Sequence, residues 1–248
     1  MTVNDYYKYY FSSTEIEGSS ERIEAKNELV YSLLEPYLKA AAPVLELGVG
    51  KGWFARACIG HGHPYHGIEA NGEQCRELGA QGIDVTCARV PPVPAGGESG
   101  EGEYGDGGYG LIYSAHLIEH LAGGEMVHEL LADCPRLLAP GGVLALLFPD
   151  AMAMGNHFWN CDYTHTWPTT ERRVAQALAD AGFQVREGHK LCGHYTGAMR
   201  IAARAGSRPL VLRTAQMLAR NPERRDLFYR GWMYLQQDVL LIATPRTG

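Results

Sequence analysis

The sequence predicts a single α/β domain built on a doubly wound, mostly parallel sheet with helices on both faces. Three observations carry this expectation. From residue 44 onward, short apolar runs alternate with stretches of helical spacing. A glycine turn, Gly48-Val-Gly-Lys-Gly52, follows the first apolar run directly. An acid, Glu69, closes the second run 21 positions after Gly48, where doubly wound folds place one.

The elements follow in order. Residues 20–39 carry Ile23, Leu29, Val30, Leu33, Leu34, Tyr37 and Leu38 at helical spacing. Strand one is expected at 44–47, then a helix near 53–59 and strand two at 65–70. Asn71 is a good N-cap for the next helix. Strand three falls at 83–88, strand four at 111–114, a helix at 125–138, and strand five at 143–148 after a Pro140-Gly-Gly142 stop. A helix over 169–181 leads to strand six at 183–189. The last strand, 238–243, comes after a helical insertion carrying arginines. Within one domain, 1–42 forms a lid and helix, 43–190 the core, 191–232 the insertion and 233–248 the last strand.

Composition sets bounds. Hydrophobic residues make up 46% and charged residues 20% of 248, enough for a core and too apolar for global disorder. Of 30 glycines, eight lie within residues 95–110, which reads as a surface loop. The longest apolar run, at 142–149, is too short for a membrane span. The N-terminus lacks the order of a signal peptide. Six scattered cysteines without a CxxC pair suit a reducing, cytoplasmic setting. The net charge of −6 divides into +6 for residues 200–230 and −12 for the rest. That balance argues against nucleic acid as a general partner and leaves room for an anionic small molecule.

The turn after strand one is GxGxG rather than GxGxxG, and Glu46 stands before it. A carboxylate there suits a cationic ligand group better than a pyrophosphate. Glycine lets backbone N–H groups lie against a ligand without interference from Cβ. Together ELGVGKG, the acid in GIEA, YGLIYSAHLIEHL and LLAPGGVLALLFP resemble the class I S-adenosylmethionine-dependent methyltransferases over roughly residues 43–148. The resemblance implies a Rossmann-like seven-stranded sheet in the order 3-2-1-4-5-7-6, with the seventh strand antiparallel. It implies S-adenosylmethionine as cofactor and S-adenosylhomocysteine as product. Glu46, Gly48, Val49 and Gly50 would line the methionine part, Glu69 the ribose hydroxyls, and Ala70 the adenine, with Ser114 a further cofactor-binding residue. Many relatives have Gly-Asp-Ala after strand three where this chain has Cys87-Ala-Arg89, so the backbone of Ala88 would serve the adenine instead.

The acceptor belongs beyond the carboxyl ends of strands four and five, where Ser114-Ala-His-Leu-Ile-Glu-His120 begins. His116 is the first candidate base, since it follows the strand and imidazole titrates near neutrality; His120 stands close by. Asp162-Tyr-Thr-His-Thr-Trp-Pro168 resembles the D-x-T-H-x-x-P stretch of methyltransferases acting on sugars, glycans and natural products, making His165 the second. The string His116-x-x-Glu119-His120 formally matches the H-x-x-E-H of inverted zinc peptidases but lacks their fold. Two imidazoles and a carboxylate there would suit a divalent ion, as in some methyltransferases of this fold; the favoured assignment is metal-free. His157, Cys161 and His165 would align as ligands on a helix, which the Trp, Asn, Thr and Pro nearby disfavour.

The aromatic run 6–11 is a candidate lid. Arg200, Arg204, Arg208, Arg220, Arg224 and Arg225 read first as a solvated helix face and second as a rim for an anionic acceptor. The expected reaction is O-methylation of a sugar or natural-product intermediate. N-methylation, RNA methylation and a silent cofactor-binding partner are the alternatives. The segment between the last two strands is the expected interface of a homodimer.

Overall fold

The computed structural model describes residues 20–94, 106–219 and 221–246. The aromatic run 6–11, most of the glycine-rich stretch and Arg220 lie outside the described residues. Helix α1 (Ser20–Leu34) passes through a 3-10 turn, Glu35–Tyr37, to β1 (Val44–Leu47). Then come α2 (Trp53–Gly60), β2 (Tyr65–Glu69), α3 (Gly72–Ala80), β3 (Val85–Cys87) and β4 (Tyr109–Ala115). A 3-10 turn, Ile118–His120, leads to α4 (Gly124–Leu137) and β5 (Leu138–Pro149). The remainder is α5 (Ala151–Met154), α6 (His157–Cys161), α7 (Glu171–Asp180), β6 (Phe183–Cys192), α8 (Gly197–Gly206), α9 (Pro209–Leu218), α10 (Pro222–Tyr234) and β7 (Gln237–Pro245).

The strands form one sheet in the order β3-β2-β1-β4-β5-β7-β6. β1 runs parallel to β2 and β4, and β7 runs antiparallel to β5 and β6. This is the seven-stranded, Rossmann-like order expected. All four residues of β1 are buried because helices cover both faces of a parallel sheet. Leu45 and Leu47 enter one apolar cluster with Ile112, Leu144 and α4. Val44 turns the other way, into a cluster with α1 and α2 through Val30, Leu34, Phe54 and Cys58. Each fully buried Leu or Phe in these layers contributes on the order of 2 kcal/mol. Asn71 caps α3 as expected, its side chain accepting from the N–H groups of Glu73 at 2.9 Å and Gln74 at 3.2 Å.

Several boundaries differ from the sequence expectation, each for a tertiary reason. α1 stops at Leu34, because Pro36 has no N–H to return to the helix. The Pro140-Gly-Gly142 stop separates nothing: α4 has already ended at Leu137, and β5 starts at Leu138, which pairs with Tyr109 across a register shift. β3 is confined to Val85–Cys87, since Ile83 N–H bonds back to the Leu78 carbonyl. α6 exists where none was expected; its Phe158 is fully buried and packs with Ala151 and Met154, so burial overrides the poor local propensity. The last helix runs through Tyr234, past the expected end of the insertion at 232. Among the described residues no helix is long and apolar enough to cross a membrane.

Gly52 shows how tightly the first crossover is packed. Its φ is +73°, and a Cβ there would lie 2.6 Å from Leu78 Cδ2. Gly52→Ala therefore combines backbone strain with overpacking and should destabilise the protein by about 2–4 kcal/mol. Urea denaturation measures this; a loss below about 1 kcal/mol would contradict the packing described.

Candidate active site

Between β1 and β4 the chain order reverses, so the loops after these strands diverge and leave a crevice at their carboxyl ends. On the β1 side, the turn is held by backbone bonds. Gly48 N–H donates to the Ile68 carbonyl at 2.8 Å and Gly52 N–H to the Val49 carbonyl at 3.1 Å. Val49 points its side chain inward, over Gly67 of β2, where a Cβ would lie 2.4 Å from Val49 Cγ2. Gly50, with φ +56°, has no atom of the described residues within 4 Å of where a Cβ would stand. Among the described residues the turn thus has one open side, and Gly50 faces it.

Glu69 fastens this turn to the next. Its Oε2 accepts from Gly50 N–H and its Oε1 from Asn71 N–H, both at 2.8 Å. A carboxylate offers about four acceptor positions, so the remaining ones suit a diol. Ala70 is half-buried beside it. Ala88 donates its N–H to the Glu69 carbonyl at 2.9 Å, so a contact from Ala88 to an adenine has to use another backbone group. Ser114 is buried and donates from Oγ to the Leu47 carbonyl at 3.1 Å, tying β4 to β1 just below the crevice.

Glu46 lies under the turn on the α2 face of β1, accepting from Tyr65 Oη at 2.5 Å. Burial pushes its carboxyl up to about 8, the Tyr65 bond and Arg56 opposing that and Glu69 adding to it. Tyr113 and Cys58, also close, stay protonated at neutral pH because burial raises both.

The other side of the crevice gathers three histidines. His116 follows β4 with φ +50°, unusual for a residue with a Cβ; its N–H continues the sheet by donating to the Leu147 carbonyl at 2.9 Å. Its ring lies between two carboxylates, Nδ1 at 3.4 Å from Glu119 Oε1 and Nε2 at 3.7 Å from Asp238 Oδ2. Desolvation lowers its pKa, but Asp238 and Glu119 prevail and raise it. Asp238 also takes Lys26 Nζ of α1 at 2.5 Å. Neither Asp238 nor Lys26 stands out in the sequence; the one available signal is a charge opening the apolar strand Val239–Ala243.

His120 and His165 meet through the backbone. The Glu119 carbonyl accepts from Thr166 N–H at 2.9 Å and Trp167 N–H at 3.1 Å, which docks the segment after α6 onto the 3-10 turn. The two imidazole centroids are then 4.8 Å apart. His120 Nδ1 bonds Thr164 Oγ1 at 2.8 Å, and His165 Nδ1 bonds the Phe158 carbonyl at 2.6 Å. Glu119, His120 and His165 bring ligand atoms within 4.8 Å of one another. This trio differs from both weighed in the sequence: His165 takes the place of His116 in the first, and His157 is absent from it.

α6 ends at Cys161, before His165, and His157 packs against Trp232 of α10 with centroids 4.7 Å apart. There it lines an open cavity of about 390 Å³ with Asn160, Gln216, Arg225 and Tyr229. Arg200, Arg204, Arg208, Arg224 and Arg225 are exposed, as a solvated face requires.

A seven-stranded sheet with an antiparallel β7, a glycine turn after β1 and an acid ending β2 defines the class I methyltransferase fold. The profile of a family described as a methyltransferase domain matches residues 20–187, and the chain belongs to that family; it is an S-adenosylmethionine-dependent methyltransferase. No curated protein matches the sequence. Among solved structures, a Haloferax volcanii chain complexed with a methyltransferase activator is 15% identical, with a TM-score of 0.67 over 100% of this chain and 99% of that one. A SAM-dependent methyltransferase of Archaeoglobus fulgidus is 19% identical, with a TM-score of 0.59 over 95% and 99%. A geranyl diphosphate methyltransferase complexed with SAM is 15% identical, with a TM-score of 0.58 over 90% and 85%. These likenesses are of fold.

Glu46 makes stability depend on pH. A carboxyl raised from 4.5 to about 8 in the folded state keeps a proton that the unfolded chain releases, so stability falls as pH rises through that interval. Over the whole interval the loss is a few kcal/mol. Glu46→Gln, which keeps an acceptor for Tyr65, should flatten this dependence in the ligand-free protein. Urea midpoints measured from pH 5 to 8 check it, and parallel wild-type and variant profiles would refute it.

Proposed function

We propose that this methyltransferase transfers the methyl group of S-adenosylmethionine to an oxygen of a small polar acceptor, a sugar or natural-product intermediate, with His116 as general base. The observation that carries the reading is the position of His116. Its side chain keeps 39% of its surface exposed at the carboxyl end of β4, across the crevice from the open side of the glycine turn, with a carboxylate on either flank.

The residues present suit this cofactor. Gly50 leaves the turn open, and Glu69 retains acceptor positions for two ribose hydroxyls. Glu46 stands where a positive charge would favour its ionised form, and Gly48, Val49 and Ala70 complete the wall. When bound, the cofactor supplies an electrophilic methyl on sulfur. The chain's part is alignment and proton removal. With the methyl group delivered to the acceptor oxygen, His116 would take the acceptor's proton on a ring nitrogen, and Glu119 and Asp238 would stabilise the imidazolium.

An anionic group on the acceptor finds Arg225, with His157 and Tyr229, in the cavity beside α6. Six free cysteines fit a cytoplasmic setting. Exposed Met217, Leu218 and Leu227 on α9 and α10 support that face as the interface of a homodimer.

Two substitutions test the assignment. Glu69→Gln should weaken S-adenosylmethionine binding by about 10–100-fold, as expected when a charged hydrogen-bond acceptor is neutralised; calorimetry would refute the role if affinity were unchanged. Asparagine tolerates positive φ, so His116→Asn removes the imidazole while sparing the backbone. It should lower kcat by about 10²–10⁴-fold with cofactor affinity intact, read as labelled methyl transfer to fractionated small-molecule extract. Activity retained within a few-fold would exclude His116 as the base.

A further inference from the structure

Three acceptor groups converge at the end of β4, and the bonds behind them decide which atoms face one another. The Phe158 carbonyl can only accept, so His165 Nδ1 carries the proton in their 2.6 Å bond. The Thr164 hydroxyl gives its one proton to Asp162 Oδ1 at 2.6 Å. Thr164 Oγ1 therefore accepts from His120 Nδ1 at 2.8 Å. Both rings are thereby held as the tautomer with the lone pair on Nε2. Within 4.8 Å of ligand atoms on both lies Glu119, with no exposed surface and, among the described residues, no hydrogen-bond partner for either carboxylate oxygen; the His116 contact at 3.4 Å is an ion-pair distance.

A buried carboxylate without a hydrogen bond is strongly disfavoured. We propose that Glu119, His120 and His165 form a binding site for a first-row divalent cation of the zinc type, with at least one coordination position left open. A carboxylate and two neutral imidazoles are a donor set that such ions take. The backs of both imidazoles are already fixed by an oxygen acceptor, as orienting partners behind metal-ligating histidines usually are. Donors about 2 Å from one ion stand roughly 3–4 Å apart, so small side-chain rotations close the present 4.8 Å spread. Nitrogen donors favour zinc, cobalt or iron over magnesium. Beside His116, such an ion would offer a Lewis acid to an acceptor oxygen. That consequence rests on the acceptor reading above; the binding does not.

The experiment needs no substrate. Full-length protein, stripped by chelator and dialysed, is titrated with Zn²⁺ by calorimetry and with Co²⁺ by visible absorption. The expected result is saturation near one ion per chain, with cobalt bands typical of nitrogen and oxygen ligands. Thr164→Val should weaken binding by about 10–100-fold, and His165→Asn by at least as much. Glu119→Gln should do the same, but full burial puts its folding at risk, so the other two variants, checked by circular dichroism, carry the test. Failure of the wild-type protein to take up either ion, or affinity unchanged in both folded variants, would overturn the proposal. Cofactor binding and methyl transfer, measured separately, would remain to judge the function.

Discussion

The structure depends on one topological constraint: a parallel sheet whose chain order reverses between β1 and β4. Adjacent strands leave in opposite directions at that point, and neither connection can cover the ends of both. The crevice is therefore a necessity of the winding. It is bounded by the backbone groups at the strand ends. On one wall Glu69 accepts the N–H groups of Gly50 and Asn71, and on the other His116 N–H joins the Leu147 carbonyl. Each wall is a strand end whose last polar groups have been turned to a specific partner.

The wall that follows β4 concentrates charge that would be costly elsewhere. Glu119 has no exposed surface, and Asp238 is nearly buried, yet both face His116, and Asp238 takes Lys26 as well. Lys26 belongs to α1 and Asp238 to β7, so this ion pair joins the two ends of the described chain beside the site. The left-handed backbone at His116 is consistent with this setting, since strain in a buried framework tends to persist where surrounding contacts over-determine it. The end of β4 thus brings together the fold's switch point, two buried carboxylates and the ring proposed above as base.

Much of the fold is legible in the amino-acid sequence. Strand alternation, the glycine turn and the acid closing β2 are local patterns, and each reflects a period or a backbone requirement of a few residues. What is not legible involves pairing between distant segments. β5 begins at Leu138 because Tyr109 is there to receive it, and α6 forms because Phe158 is buried. Among site residues, Glu69, Gly50 and His116 stand out as motifs. Asp238 and Lys26 do not, since they are separated by 212 positions and neither belongs to a pattern.

By itself the sequence determined the winding of the sheet, the place of the glycine turn and the set of ionisable groups after β4. It did so because hydrophobic period and glycine placement act over short range. Only the tertiary structure decided which of those groups meet. Two backbone bonds to the Glu119 carbonyl carry His165 to His120, while packing of α6 on α10 takes His157 away. Residues joined by spacing in a string need not share a site, because the site is assembled by hydrogen bonds and burial between segments far apart in the chain.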